Sequence, residues 1–259
     1  MPNTSEFTHQ LSALGYLLKG WQLIKHPKLR SFILIPLFIN LVVFSIAFWF
    51  LFSNINDWID SYIAKLPAFL TWLTYIMWPL LAVIILFSFS FIFSTFANLI
   101  AAPFNGLLAE KTEILLIGDT INNDGIHELI KDLPRIFQRE LQKMWYILPR
   151  MIGCAILFLI PGFGQTIAPL IWFVFGAWMI VIQYADYPFD NHKITFANMK
   201  GALRKRPAKS LIFGMLISVF NAIPIVNFII MPIAVCGATA FWVDIYKPQL
   251  LSQNNHGES

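Results

Sequence analysis

Four long stretches without Asp, Glu, Lys or Arg dominate the sequence and limit what the chain can fold into. They span residues 31–56, 66–109, 144–185 (where Arg150 is the single charged residue) and 210–243. A helix needs about 20 apolar residues to cross the hydrocarbon core of a bilayer. Only 12% of the residues are charged, against about 25% in soluble domains. The sequence therefore predicts an all-α integral membrane protein that forms a single membrane domain over residues 1–259.

The distribution of Lys and Arg predicts the topology of this domain. Basic residues are concentrated in segments 1–30, 110–143 and 186–209, whereas segment 57–65 and the tail after Val243 carry one each. The positive-inside rule places the three basic segments on the cytoplasmic side. The first two windows are then long transmembrane helices that each cross once, and the third must return to the cytoplasmic side. Segment 1–30 is predicted as an amphipathic helix, 110–143 as a cytoplasmic helical loop and 249–259 as a polar tail.

The third and fourth windows are predicted to form re-entrant helical hairpins that penetrate the bilayer only partly. Two full crossings take about 40 residues plus a turn, and window 210–243 is shorter than that. The string IPGFGQTIAP, residues 160–169, supplies a turn in the middle of the third window. Pro161 removes a backbone donor, while Gly162 and Gly164 permit the dihedral angles of a tight reversal.

A similar string, IPIVNFIIMP, occupies residues 223–232 of the fourth window. Its prolines have the same eight-residue spacing, so Pro224 and Asn227 are assigned to a second hairpin tip. Paired broken segments of this kind indicate a transport path, because non-helical backbone at membrane depth must be satisfied by protein or by a watery cavity. The alternative is that the prolines only kink ordinary spanning helices.

Two surface helices are indicated by apolar stripes at helical spacing. The first stripe contains Phe7, Leu11, Leu14, Leu18 and Trp21 and predicts a helix lying on the membrane or on the protein. The second stripe lies in the loop, with a polar face formed by Asp132, Arg135, Arg139 and Lys143. That basic face is interpreted as attracting either soluble anions or the anionic headgroup layer.

Motifs of enzymes and of metal or nucleotide sites are missing from the sequence. The five histidines have no ligand spacing, and phosphate-binding loops and nucleophile elbows do not occur. We therefore predict no enzyme activity, catalytic residue, metal, cofactor or nucleic-acid partner. Asp186 and Asp190 are open to two interpretations, as turn and cap residues or as a proton-handling pair.

The string ANLIAAPFNGLLAEK suggests an anion site. Pro103 and Gly106 are predicted to break the second window, so that the amides of Gly106, Leu107 and Leu108 form a free helix N-terminus. Arg30 and Lys28 are candidates for the countercharge, and Glu110 for orienting an arginine. A plain helix start is the alternative.

Residues 20–244 resemble the CysZ-type sulfate permeases of the bacterial inner membrane. The strings that carry this resemblance are GWQLIKHPKLRSFILIPLFIN, FANLIAAPFNGLLAEK, IPGFGQTIAPLIWF, YADYPFDNHK and MPIAVCGATAFWVD. The resemblance implies sulfate uptake for cysteine biosynthesis, a homo-oligomer of dimer size or larger, and partly penetrating hairpins. It also places the motif Gly106, Leu107, Leu108, Ala109 and Glu110 at the sulfate site, together with basic residues near Arg30.

The chain departs from the family pattern at one basic position. Where the family tends to have two consecutive arginines, this chain has Arg30 followed by Ser31. Lys28 is the candidate to replace the second charge. The resulting prediction is a multi-pass inner-membrane sulfate permease with a cytoplasmic N-terminus. The alternative is a scaffold or regulator that binds a partner or anionic lipid through its basic loops.

Overall fold

The computed structural model describes residues 11–65, 74–118, 125–221 and 223–249, and the regular structure in these ranges is helical. The helices are α1 (Ala13–Leu23), α2 (Pro27–Ile63), α3 (Thr74–Ile117), α4 (Gly125–Leu157), α5 (Phe163–Thr166), α6 (Ala168–Asn191), α7 (Phe196–Arg204), α8 (Pro207–Asn221) and α9 (Pro224–Phe241), followed by a π-helical turn, Trp242–Tyr246. The predicted all-α class is confirmed.

Three helical stretches among the described residues are long and apolar enough to cross a membrane. They are Pro27–Ser61, Ala168–Asn191 and Ile229–Gln249, and they fall in the first, third and fourth apolar windows. The second window begins with residues 66–73, which lie outside the described residues, and continues in α3. The chain is therefore a membrane protein.

The chain divides into two compact units, one formed by residues 34–101 and the other by the remaining described residues. The first unit contains the apolar lengths of α2 and α3, where Phe48 packs edge-on against Phe89 with ring centroids 6.3 Å apart. Large apolar side chains on α2, such as Phe38 and Trp49, are exposed. Exposed apolar side chains on a helix of this length are suited to lipid contact.

The core of the other unit is built from α1, α6, α8 and α9. Close backbone contacts explain its glycines: a Cβ on Gly20 of α1 would lie 2.2 Å from the carbonyl oxygen of Ile233 in α9, and one on Gly237 would lie 2.8 Å from the carbonyl oxygen of Tyr16. Tyr16 also packs on Phe241, with 4.9 Å between ring centroids. Small residues thus let α1 and α9 approach until their backbones touch.

Helix α1 packs on the protein through a face other than the apolar stripe. Ser12 caps the helix by accepting a hydrogen bond from the amide of Gly15. Tyr16, Leu17 and Gly20 are buried, whereas the stripe residues Leu14, Leu18 and Trp21 are exposed. Phe7 lies outside the described residues. The face with Tyr16, Leu17 and Gly20 therefore contacts the protein, and the stripe residues are left for a lipid environment.

The predicted cytoplasmic loop and the first arm of the first hairpin form one continuous helix. Helix α4 runs through the expected boundary at residues 143 and 144 and contains Pro134 and Pro149 in its interior. The expected basic surface is also wrong in part, because Arg139 and Lys143 are buried. Their charges are neutralised by carboxylates of the same chain rather than presented to an anionic layer.

The helical backbone of the third window is interrupted within the string IPGFGQTIAP, where the first hairpin tip is predicted. Helix α4 ends at Leu157 and α6 begins at Ala168. Between them Gly162 has a φ angle of 80°, and Gly164 is buried so tightly that a Cβ would lie 2.3 Å from the carbonyl oxygen of Phe158. Pro161, beside them, is exposed. The turn is also closed by side chains, since the amide of Gly162 donates to Gln165 Oε1 over 2.9 Å.

The second hairpin differs from the first at its tip. Pro224 is the first residue of α9, and Asn227 and Pro232 lie inside that helix. The string IPIVNFIIMP is therefore almost entirely helical and does not repeat the broken backbone of IPGFGQTIAP. Its expected break is displaced to the junction of α8 and α9, where residue 222 lies outside the described residues.

Candidate anion-binding site

The predicted helix start in the Gly106 motif is not present. Helix α3 continues from Thr74 to Ile117 through Pro103 and Gly106. Amides in the interior of an α-helix donate to carbonyls four residues earlier, so those of Gly106, Leu107, Leu108 and Ala109 are not free donors. An interior proline removes one donor and crowds the carbonyl four residues earlier, but burial of the neighbouring Ala102, Leu107 and Leu108 holds the helix together through Pro103.

The motif is instead attached to α6. The amide nitrogen of the Asn191 side chain donates to the carbonyl oxygen of Gly106 over 2.8 Å. Asn105 donates to the hydroxyl of Tyr187 over 3.2 Å, and both side chains are buried. The strings PFNGLLAE and YPFDNHK, which lie far apart in the sequence, therefore meet in the fold.

A polar cleft of about 600 Å³ lies beside this junction. It is formed by the ends of α3 and α6, the start of α4 and the residue that follows the π-helical turn. Its polar lining consists of Glu110, Glu113, Lys131, Asp132, Arg135, Asn191, His192, Lys193 and Lys247. Basic side chains outnumber acidic ones, so the cleft suits a small anion.

Glu113 organises one wall of the cleft. His192 Nε2 lies 2.9 Å from both carboxylate oxygens of Glu113, and Lys247 Nζ lies 2.7 Å from its Oε1. Burial of Glu113 opposes its ionisation, but hydrogen bonds and charges from His192 and Lys247 outweigh burial and lower the pKa of this carboxyl below its usual value. Glu113 is therefore ionised and holds two basic side chains at the rim.

The other basic side chains of the cleft differ in their pairing. Arg135 binds Asp190 over 2.6 Å and Asp132 over 2.7 Å. Lys131 and Lys193 have no carboxylate within ion-pair distance among the described residues. Lys193 also has a φ angle of 57°, in the left-handed region that favours glycine or asparagine.

Below the cleft a buried ion-pair network joins α4 to α6. Arg139 Nε donates to Asp186 Oδ1 over 2.8 Å, and Lys143 Nζ lies 3.3 Å from Asp186 Oδ2. Glu140 pairs with Lys143, and burial raises the pKa of the Glu140 carboxyl although Lys143 opposes this shift. Asp186 lies in the interior of α6 and is not a turn or cap residue, whereas Asp190 lies in the last turn, where its carbonyl oxygen accepts from the amide of Lys193 over 2.8 Å.

Arg30 and Lys28 lie in the first turn of α2 and are exposed. They are not part of the cleft lining. This is a true helix N-terminus: the amide of Lys28 donates to His26 Nδ1 over 3.3 Å, and the amide of Leu29 donates to the carbonyl of His26 over 3.0 Å. These amides are therefore occupied within the chain, and what the start of α2 offers an anion is the charge of Arg30 and Lys28.

Comparison with known proteins identifies the family. A family profile described as "Sulfate transporter CysZ/Etoposide-induced protein 2.4" matches residues 16–232. The chain belongs to this family. It is 54% identical over 240 residues to a protein named sulfate transporter CysZ from Vibrio atlanticus (strain LGP32), which covers 93% of this chain and 95% of the relative. The identity is again 54%, covering 93% and 97%, to a protein of that name from Vibrio parahaemolyticus.

A relative with the same name from Pectobacterium atrosepticum is 51% identical over 245 residues, covering 95% of this chain and 88% of its own length. These names confirm the predicted family and describe transporters rather than enzymes. The matched region includes α3, α4 and α6, so most of the cleft lies within the part of the chain that is typical of this transporter family.

Sequence reasoning missed most of the cleft. The sequence points to Glu110 and, on the polar face of the loop helix, to Asp132 and Arg135, but not to Glu113, His192, Lys193 and Lys247. A signal was available in the spacing of Glu110 and Glu113, which lie on one side of α3. The partners carried no comparable signal, because they come from segments that only the tertiary structure brings together.

Proposed function

We propose that this chain transports sulfate across the bacterial inner membrane and so supplies sulfur for cysteine biosynthesis. The observation that carries the proposal is the cleft beside Glu110, where two lysines have no carboxylate partner among the described residues. Sulfate is a small dianion with four acceptor oxygens, and charged donors bind such groups more strongly than neutral ones. Membership of the family supports sulfate over other oxyanions.

In this proposal Lys131 and Lys193 contact the bound sulfate, and the acidic residues position the cations. Glu113 holds His192 and Lys247 at the rim, and Glu110 binds Lys111 over 2.9 Å. Arg135 keeps its carboxylate partners and adds a fixed positive potential. Gly106 to Ala109 contribute as the helical support of Glu110, not as donors.

The first turn of α2 is the proposed point of first attraction. Arg30 and Lys28 place two exposed positive charges at the start of α2, where the helix dipole also favours an anion. This retains both residues as sulfate-binding candidates, while the first amides of α2 remain bonded to His26. Lys28 supplies the second charge that Ser31 lacks.

The path through the bilayer is proposed to follow the hairpins. Pro161, Gly162 and Gly164 form the turn of the first, and Pro224 and Asn227 begin the returning helix of the second. We propose that both hairpins are re-entrant within one membrane domain, that the N-terminus is cytoplasmic, and that copies of the chain assemble as a homo-oligomer in the bilayer.

The test is uptake of radioactive sulfate into liposomes that contain the purified protein. Each of Lys131→Gln and Lys193→Gln is expected to lower uptake at limiting sulfate about tenfold or more, since losing one charged hydrogen bond changes binding by that factor. Lys205→Gln is the matched control. It removes the same charge, but Lys205 is exposed and lies outside the cleft.

Two further results would separate this proposal from its alternative. Arg30→Ala and Glu110→Ala are expected to abolish sulfate-dependent growth while the protein stays in the membrane. If folded, inserted wild-type protein moves no oxyanion, the transporter assignment fails and a scaffold or regulator becomes the better hypothesis.

A further inference from the structure

A cluster of cations around one aromatic ring lies away from the cleft, on the side of α4 that faces α7. The guanidinium carbon of Arg150 lies 3.8 Å from the ring centroid of Tyr146, and Lys200 Nζ lies 4.2 Å from the same centroid. Lys200 also lies 4.5 Å from the ring of Phe196, which meets Tyr146 edge-on at 5.6 Å. Two helices therefore bring two positive charges to one tyrosine.

These two charges lack an acidic partner in the described part of the chain. The ion pairs of α4 involve Arg135, Arg139 and Lys143, and none involves Arg150 or Lys200. The aromatic contact leaves most donors free: Arg150 uses one to bind the carbonyl of Tyr146 over 2.7 Å, while a guanidinium has five N–H donors and an ammonium three. Like charges held close together repel, so the pair favours a bound anion.

The spacing of the cations fits a phosphate group. Because each cation lies close to the centroid of one ring, the two charges are at most about 8 Å apart. A phosphate that accepts one hydrogen bond of about 2.8 Å from each cation can bridge separations up to about this size.

The surface next to this pair is apolar and open. Gly153 lies one turn after Arg150 on the same side of α4, and a Cβ there would meet nothing within 4 Å. Ile152 and Ile156 on the following turns are about half exposed. Arg150 lies at the boundary between the charged start of α4 and its apolar end, where a long basic side chain reaches the headgroup level.

We infer that Arg150, Lys200 and Tyr146 form a binding site for the phosphodiester headgroup of an anionic phospholipid, with an acyl chain along the open side of α4 at Gly153. A free phosphate would contact only the cations, whereas a phospholipid contacts the cations with its headgroup and the apolar surface with its acyl chain. The inference is independent of the sulfate cleft, because neither cation lines it.

The test is native mass spectrometry of the purified full-length protein with equal amounts of phosphatidylglycerol and phosphatidylcholine. The wild type is expected to prefer phosphatidylglycerol, and Arg150→Gln or Lys200→Gln to reduce that preference about fivefold each. The double variant is expected to lose about 25-fold, and Arg150→Lys with Lys200→Arg to restore it. Helical circular dichroism and a monodisperse elution profile verify folding of each variant.

Lys25→Gln is the matched control, since Lys25 stacks alone on Trp21 at 4.7 Å. It is expected to leave the lipid preference unchanged. The inference is overturned if Arg150→Gln and Lys200→Gln keep the wild-type preference. It is equally overturned if inorganic phosphate displaces phosphatidylglycerol at the concentration of the lipid, because the site would then bind phosphate alone.

Discussion

The two helix pairs that the sequence predicts as hairpins, α4 with α6 and α8 with α9, make their closest contacts through different chemistry. The arms of the first, α4 and α6, are joined at their base by buried ion pairs, whereas α8 and α9 of the second lie among close backbone contacts with α1 and α6. Apolar side chains do not drive helices together in lipid, because the lipid is as apolar as they are. Each hairpin therefore relies on one of the two remaining devices, polar pairing or small-residue packing.

The first hairpin combines a charged base with an exposed apolar length. Asp186 is buried between Arg139 and Lys143, while Leu159 and Leu170 near the tip are strongly exposed. The second hairpin has few charges and more glycine contacts: a Cβ on Gly214 of α8 would lie 2.1 Å from the carbonyl oxygen of Ala177 in α6. The buried ion pairs and the closely packed glycines therefore occupy different parts of the same unit.

The largest expected effect comes from breaking the buried ion pairs between α4 and α6. Asp186→Asn leaves Arg139 and Lys143 short of a buried counterion and is expected to destabilise the protein by about 3–5 kcal/mol. Thermal unfolding in detergent, followed by circular dichroism, measures the change. Asp132→Asn is the control, because its half-exposed carboxylate contributes less than about 1 kcal/mol. If both variants lower the unfolding temperature equally, the buried ion pairs have no special role in stability.

A smaller effect is expected from the packed glycines. Gly20→Ala places a Cβ 2.2 Å from backbone in α9, so α1 must move, at a cost of about 1–3 kcal/mol. Gly201→Ala on α7 has nothing within 4 Å and is expected to be neutral or slightly stabilising. The same unfolding assay compares them. If Gly20→Ala is as stable as Gly201→Ala, close packing does not hold α1 on the second hairpin.

The smallest loss of stability is expected from substitutions at the two predicted hairpin tips, where Gly162 and Pro224 can be compared directly. Gly162→Ala forces a side chain into a φ angle of 80° and is expected to cost about 1–2 kcal/mol. Pro224→Ala changes a first helical position that tolerates most residues and is expected to cost less than about 1 kcal/mol. Gly176→Ala, with open space around it, is the control for glycine replacement in a helix. A costlier Pro224→Ala would mean that the second tip is the more constrained.

The sequence by itself determined the membrane class, the helical fold and the break in the third window. These follow from local properties: the length of an apolar run sets whether it can cross a bilayer, and Pro161 followed by Gly162 and Gly164 disfavours a continuous helix. Arg30, Lys28 and Glu110 were candidates for the same reason, since a charge beside an apolar run is visible in the sequence.

Only the tertiary structure decided which charges meet and which prolines end a helix. Pro103 and Pro232 lie within continuous helices, because packing of neighbouring residues compensates for one lost donor, and no local pattern reports that packing. Arg139 and Lys143 are buried rather than exposed since Asp186 of α6 lies opposite them. The cleft exists because Glu113, His192 and Lys247 come from three distant segments, and their attraction depends on a proximity that only folding creates.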